Sequence, residues 1–257
     1  NQAAAAARLG AEVALLGAVG RDDHGDLLLR RLQEAGVDVE GVLRLDGPPT
    51  GTALITVDAG GENTIVISAG ANGELGPDRL AGLPQRLLGA AVLCLCFEVP
   101  METVVEAARS ARAAGVPVLL NPSPAAGIPD ALMAATSLLL LNETEAADLI
   151  DASADWAVTA SRLQRRVGPA AIVTLGGEGA VVLQDGQVTV IPATPVTPVD
   201  TTGAGDAFTG AVAARLARGD SLTGAASFAA RAAAWSTTRP GAQPSYATLA
   251  ELEAWCP

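Results

Sequence analysis

Four short apolar runs, Ala91–Cys96, Val116–Leu120, Ser137–Leu141 and Ala170–Thr174, recur along the chain with helical patterns of crossover length among them. This alternation constrains the fold more than any other feature. Continuous apolar runs of that length suit strands covered on both faces. Strands joined by helical crossovers run parallel, and their helices pack on both sides of the sheet. The expected fold is therefore α/β, a mostly parallel sheet sandwiched by helices. Helical patterns cover Gln2–Leu9, Asp23–Ala35, Met101–Ala114, Asp130–Ala135, Glu143–Ile150, Ala154–Val167, Ala207–Ala217, Ser221–Ser236 and Thr248–Trp255. Strand patterns also occur at Val13–Gly17, at Thr52–Val57 and Asn63–Ser68 around a turn at Ala59-Gly60-Gly61, and at Ala180–Gln184 and Gln187–Ile191 around Asp185-Gly186. A length of 257 residues fits a single domain, 1–257. Residues 42–68 are expected to form a small antiparallel unit outside the main sheet.

In parallel sheets ligands bind beyond the carboxyl ends of the strands. The polar residues Glu98, Asn121, Asn142–Glu145 and Thr174–Gly179 fall there. A further run, Asp200–Gly210, lies where an extended segment gives way to a helical pattern. Gly203, Ala204 and Gly205 leave their N–H groups unshielded at a helix start, which suits an anion. Asp206 places a carboxylate in the same turn. Amides that hold phosphate charge beside a carboxylate that accepts a proton suit phosphoryl transfer to a hydroxyl. A capped, Gly-rich helix start accounts for the same residues without chemistry.

Composition removes several alternatives. The net charge is −12 and no basic tract occurs, which argues against a nucleic-acid partner. No apolar run approaches the roughly 18 residues of a membrane span, and no signal-peptide pattern opens the sequence. The three cysteines, Cys94, Cys96 and Cys256, lack metal or redox spacing. Cys94 and Cys96 are expected to be buried free thiols in a reducing cytoplasm. The sequence contains no lysine, which excludes a P-loop and a Schiff-base lysine.

Several motifs occur together in order: Gly61-Glu62-Asn63, Gly70-Ala71-Asn72, Asn121-Pro122-Ser123-Pro124-Ala125, Asn142-Glu143-Thr144-Glu145, Thr174-Leu175-Gly176-Gly177, Asp200–Gly210 and Arg239-Pro240-Gly241-Ala242-Gln243-Pro244-Ser245. With Asn1, Ala3, Gly10 and Gly20 at their spacing, the chain resembles the ribokinase-like (PfkB) carbohydrate kinases over nearly its whole length. The resemblance implies a kinase that moves the γ-phosphoryl group of ATP to the primary hydroxyl of ribose. It assigns Asp206 as the catalytic base and Gly203, Ala204 and Gly205 as the anion hole. Asn1 and Glu98 would contact sugar hydroxyls. Asn142 and Glu145 would position the phosphates and hydrated Mg²⁺, an ion that keeps much of its water. Thr174, Gly176, Gly177, Glu178 and Gly179 would form the nucleotide loop. Asp200, Thr202, Ser236, Arg239, Gly241 and Ser245 would hold an activating monovalent cation, K⁺, several of them through carbonyls. A homodimer through the lid at 42–68 is implied as well.

Plainer roles stay open for several of these residues. Asn142 suits an N-cap, Glu145 the first turn of a helix, Asp200 a turn, and Glu98 and Arg239 the solvated surface. His24 receives no role, and Trp156, Trp235 and Trp255 are expected to pack helices. Other PfkB kinases, acting on fructose, deoxysugars, sugar acids or nucleosides, remain alternatives, as does a non-catalytic sugar- or nucleotide-binding fragment. Ala230 replaces a polar residue near the adenine in many relatives, which leaves nucleotide preference open. Asn1 matches the last residue of the family's Gly-Gly-Lys-Gly-Ala-Asn sequence. The chain is therefore expected to be a fragment that lacks a sheet strand, part of the lid and most of the sugar grip, and to show no ribose kinase activity by itself.

Overall fold

The computed structural model describes residues 1–57, 63–150, 159, 162–163 and 170–256. In chain order, the first half contains α1 (Gln2–Arg8), β1 (Val13–Ala14), β2 (Gly17–Gly20), α2 (Asp23–Glu34), β3 (Val37–Asp38), β4 (Val42–Leu45), β5 (Thr52–Val57), β6 (Asn63–Ser68) and α3 (Leu83–Leu87). Then come β7 (Leu93–Leu95), α4 (Met101–Ala113), β8 (Val118–Leu120), α5 (Asp130–Ala135), β9 (Leu138–Asn142), α6 (Glu143–Ile150) and β10 (Ala170–Thr174). The hairpin β11 (Gly179–Gln184) and β12 (Gln187–Pro192) precedes α7 (Ala204–Ala217), α8 (Leu222–Thr237) and α9 (Leu249–Ala254). Of the helix expected over Ala154–Val167 only residues 159 and 162–163 are described, all helical; its Trp156 and the turn Ala59-Gly60-Gly61 with Glu62 lie outside the described residues.

One sheet of six strands runs in the order β12-β11-β10-β9-β8-β7. The β7 to β10 neighbours pair in parallel, while β11 and β12 pair antiparallel at one edge, so the sheet is mixed with a parallel core. The period of two along each strand divides its side chains between two cores. Leu138, Leu140, Ile172 and Val182 pack with Phe208, Val212 and Ala226 of α7 and α8 on one face. Leu139, Leu141, Val173 and Val181 pack with Leu87, Val104 and Leu132 of α3 to α5 on the other. Both faces are therefore covered, as all-apolar strands require.

Three expectations change. The run Val13–Gly17 is two strands, because β1 pairs with β3 and β2 pairs with β4. The second pairing is parallel, so Val42–Leu45 is not part of an antiparallel unit, and only β5 and β6 form the antiparallel hairpin. The strand expected to be buried at Ala91–Cys96 is shorter, and Leu93, Cys94 and Leu95 are only half-buried. The reason is position: β7 ends the six-stranded sheet, and only β8 pairs with it among the described residues.

Helix α7 carries the Asp200–Gly210 motif into the centre of the molecule. Its residues Ala207–Ala214 are all buried, so protein surrounds the helix on every side. The contact with α1 is unusually close at Gly210, where a Cβ would stand 2.5 Å from the Gln2 carbonyl oxygen and 2.8 Å from Ala5 Cβ. Only glycine permits that approach, and the alanines of α1 continue the small surface. The packing places the start of α1 beside the start of α7.

Candidate active site

The parallel strands deliver Asn121, Asn142 and Thr174 to one edge of the sheet. The α1 terminus is tied to that edge, because Gln2 Nε2 donates to Asn121 Oδ1 at 3.0 Å and Asn121 Nδ2 donates to the Leu140 carbonyl at 3.1 Å. Asn1 Nδ2 then donates to Asp206 Oδ2 at 2.9 Å, and Gln243 Nε2 donates to Asn1 Oδ1 at 3.3 Å. Residues 205 positions apart in sequence thus meet at the start of α7. Glu98, just beyond β7, belongs to the same group. Its side chain reaches solvent, yet the surrounding protein raises its pKa, and the charge on Asp206 raises it further. Cys96 lies beside these carboxylates, and burial pushes its thiol up to about 11. Cys94, half-buried by exposed area but surrounded by protein, is pushed up to about 12, so both thiols are neutral near pH 7.

Gly203 caps α7 with φ +76°, a left-handed conformation. The Ala204 N–H is not open as expected, because it donates to the Thr201 carbonyl at 3.1 Å. Among the described residues no acceptor takes the N–H groups of Gly205 or Asp206. The Gly203 N–H has none either, so the expectation fails only at Ala204, and the open donors of Gly203, Gly205 and Asp206 share the turn of the Asp206 carboxylate. Helix dipole and unpaired amides together favour an anion at this point.

Asn142 and Glu145 form a reciprocal cap on α6. Asn142 Oδ1 accepts from the Glu145 N–H at 2.8 Å, and Glu145 Oε2 accepts from the Asn142 N–H at 2.9 Å. Both the capping role and a place at the sheet edge are therefore present. Burial raises the pKa of Glu145, partly opposed by its hydrogen bonds to Asn142 and Ser123. In the 174–179 loop, Thr174 Oγ1 donates to the Leu141 carbonyl at 3.3 Å. A Cβ on Gly176 or Gly177 would meet nothing within 4 Å, so the loop surface there is open, and Glu178 lies exposed beside it. Gly179 serves the sheet instead: a Cβ there would stand 2.1 Å from the Ile191 carbonyl oxygen.

Asp200 joins two loops. Oδ1 accepts from the Thr202 N–H at 2.9 Å and Oδ2 from the Gly241 N–H at 2.7 Å. Hydrogen bonds from the Thr202 side chain, Gly241 and the Thr202 backbone hold its pKa below the ordinary value. The Ser236 and Ser245 hydroxyls are buried and donate to the Ala233 and Ala242 carbonyls, both at 2.7 Å. The Arg239 guanidinium stacks on Trp235 at 3.7 Å, and Trp235 packs edge-on against Trp255. Among the described residues no cluster of three His, Cys, Asp or Glu could hold a metal. Among the described residues no helix is long and apolar enough to cross a membrane. Sequence reasoning missed Gln2 and Gln243 as parts of this group, because their partners are remote in sequence.

The pfkB family carbohydrate kinase pattern matches residues 1–249. The chain belongs to that family. A Schizosaccharomyces pombe ribokinase is 37% identical over 266 residues, covering 98% of this chain and 83% of its own length. A Bacillus subtilis ribokinase is 35% identical over 253 residues, with 98% and 84% covered. A Salmonella typhi deoxyribokinase is 34% identical over 258 residues, with the same coverage. Among solved pfkB-like structures, Arabidopsis thaliana ribokinase complexed with ribose and ATP matches at a TM-score of 0.89 and 29% identity, covering 98% of this chain and 84% of that one. An E. coli protein in complex with ATP and Mg²⁺ matches at 0.84 and 26% identity, with 98% and 85% covered.

Proposed function

We propose that the protein is an ATP-dependent ribose kinase that forms ribose 5-phosphate and ADP. The observation that carries this is the meeting of Asp206, Asn1 and Glu98 at a helix start whose Gly205 and Asp206 amides have no acceptor among the described residues. The Asp206 carboxylate takes the proton of the ribose primary hydroxyl as its oxygen bonds to the γ-phosphorus. The bond from that phosphorus to the β-phosphate oxygen breaks, and ADP leaves. Gly203, Ala204 and Gly205 shape the turn, and the open amides carry the charge on the transferring group. Asn1 and Glu98 hold sugar hydroxyls. Asn142, Glu145 and the loop of Thr174, Gly176, Gly177, Glu178 and Gly179 hold the nucleotide.

The oxygen donors suit two hard cations. Glu145 offers a carboxylate to Mg²⁺ beside the phosphates, where the ion supplies charge neutralisation. Asp200, Thr202, Ser236, Arg239, Gly241 and Ser245 offer oxygens to K⁺, mainly backbone carbonyls. We also propose a cytoplasmic homodimer. Leu54, Val66 and Ile67 of the β5–β6 hairpin are exposed, which suits a second copy, and the three cysteines are free. Light scattering that gives a monomer at micromolar concentration would reject the dimer.

The deoxyribokinase among the relatives supports a second substrate, deoxyribose. A panel of ribose, deoxyribose, fructose and nucleosides, read by ADP release, separates the two. Equal or better turnover of another substrate displaces ribose, and binding of ATP without turnover of any displaces the kinase.

A further inference from the structure

Tyr246 is nearly buried, 3% exposed, directly behind the start of α7. Its hydroxyl donates to the Gly203 carbonyl at 3.2 Å. The same carbonyl accepts the Ala207 N–H at 2.8 Å. The other end of that peptide unit, the Ala204 N–H, donates to Thr201. The plane between Gly203 and Ala204 is therefore held at both ends, and the open amides of Gly205 and Asp206 follow directly from it. Tyr246 is itself anchored, since its own carbonyl accepts from Arg8 Nε at 2.7 Å. The fit is close enough that a Cβ on Gly203 would stand 2.6 Å from the Tyr246 hydroxyl oxygen and 2.7 Å from Ala242 Cβ.

We infer that Tyr246 is a positioning residue for phosphoryl transfer: its hydroxyl sets the orientation of the Gly203 peptide and so aims the open amides and the Asp206 carboxylate. The inference rests on the kinase function proposed above. A phenol suits the task because it presents a single donor on a rigid ring with few rotamers to lose. Burial and the charge on Asp206 both raise its pKa, so it stays a donor throughout the working range. The bond adds no contact to substrate. Its effect is realised only when the amides must meet the transferring group, so it should appear in turnover and not in binding.

Tyr246→Phe keeps the ring and removes only the hydroxyl. In the enzyme, kcat is expected to fall about fivefold to twentyfold, with the KM for ribose and for ATP each within about twofold. The melting temperature should change by no more than about 2 °C, because the Ala207 N–H still satisfies the carbonyl. An unchanged kcat overturns the inference. So does a fall in kcat matched by raised KM values and a lowered melt, which marks a structural role. A second readout is independent of activity: amide hydrogen exchange at Ala204 should accelerate in Tyr246→Phe relative to amides in the middle of α7. If the parent protein turns over no sugar, the kinase proposal fails and the exchange result alone decides whether Tyr246 holds the turn. Equal exchange in parent and variant then overturns it.

Discussion

A methyl group added at Gly203 should destabilise the protein and disarm the site together. Gly203 has φ +76°, and left-handed backbone costs a residue with a Cβ roughly 1–2 kcal/mol. The new Cβ would also stand 2.6 Å from the Tyr246 hydroxyl oxygen, 2.7 Å from Ala242 Cβ and 3.1 Å from Ala242 Cα. Two of these neighbours are fixed to backbone and the third is a buried ring, so none can swing away. Overpacking of this kind typically costs about 1–3 kcal/mol. The sum is about 2–5 kcal/mol, a large part of the roughly 5–15 kcal/mol that a domain has. For a domain of this size that lowers the melting temperature by about 4–20 °C. Relief of the clash moves the helix start, and a misplacement near 1 Å costs up to about 10²-fold in rate. We expect Gly203→Ala to lose about 10- to 100-fold in kcat, measured by ADP release with ribose beside a thermal melt. Gly205→Ala is the comparator, since a Cβ there meets nothing within 4 Å. It should leave the melt unchanged or raise it slightly, yet crowd the phosphoryl group and lower turnover. A Gly203→Ala protein that melts within about 1 °C of the parent and keeps its turnover would refute the reasoning.

Other outcomes follow from the same geometry. Asp206→Asn keeps the shape but not the proton acceptor, so turnover should fall about 10²–10⁴-fold with little change in ATP affinity; more than half of normal turnover would sink the assignment. K⁺ should activate more than Na⁺, and Asp200→Ala should abolish the difference by freeing Thr202 and Gly241; equal parent rates in the two salts count against the cation site. Asp22 is held at about 2, below its ordinary 3.8, chiefly by the Thr50 side chain and then by the Thr50 and Gly25 amides. Its contribution to stability is therefore complete above pH 3.8 and lost as pH falls toward 2. Asp22→Asn should flatten the acid limb of the melting curve in that window, and an unchanged limb would show that the Asp22–Thr50 contact contributes nothing. Glu98 has the opposite sign: its raised pKa opposes folding as pH rises past its ordinary 4.5, so Glu98→Gln should remove that opposition and raise the neutral-pH melt slightly.

Local pattern alone determined most elements of this protein. The ends of β5, β6, α5, α6 and β10 coincide with their expected limits, because hydrophobic period and adjacent turn residues act over a few positions. The Asn142–Glu145 cap was equally legible, as its partners are three residues apart. The glycines and Asp206 marked the start of α7 as a place for an anion. Tertiary structure decided what depends on partners far along the chain. The division of Val13–Gly20 into β1 and β2 follows from two different partner strands. The half-exposure of β7 follows from its place at the end of the sheet, which no run of apolar residues encodes. Gly179 and Gly210 owe their identity to backbones that approach from Ile191 and Gln2. The site itself is of this kind: Asn1 reaches Asp206 and Tyr246 reaches Gly203 only because α1, α7 and the 242–246 turn pack together. A hydrogen bond needs its atoms within about 3 Å, and sequence spacing carries that information only for neighbours on one element.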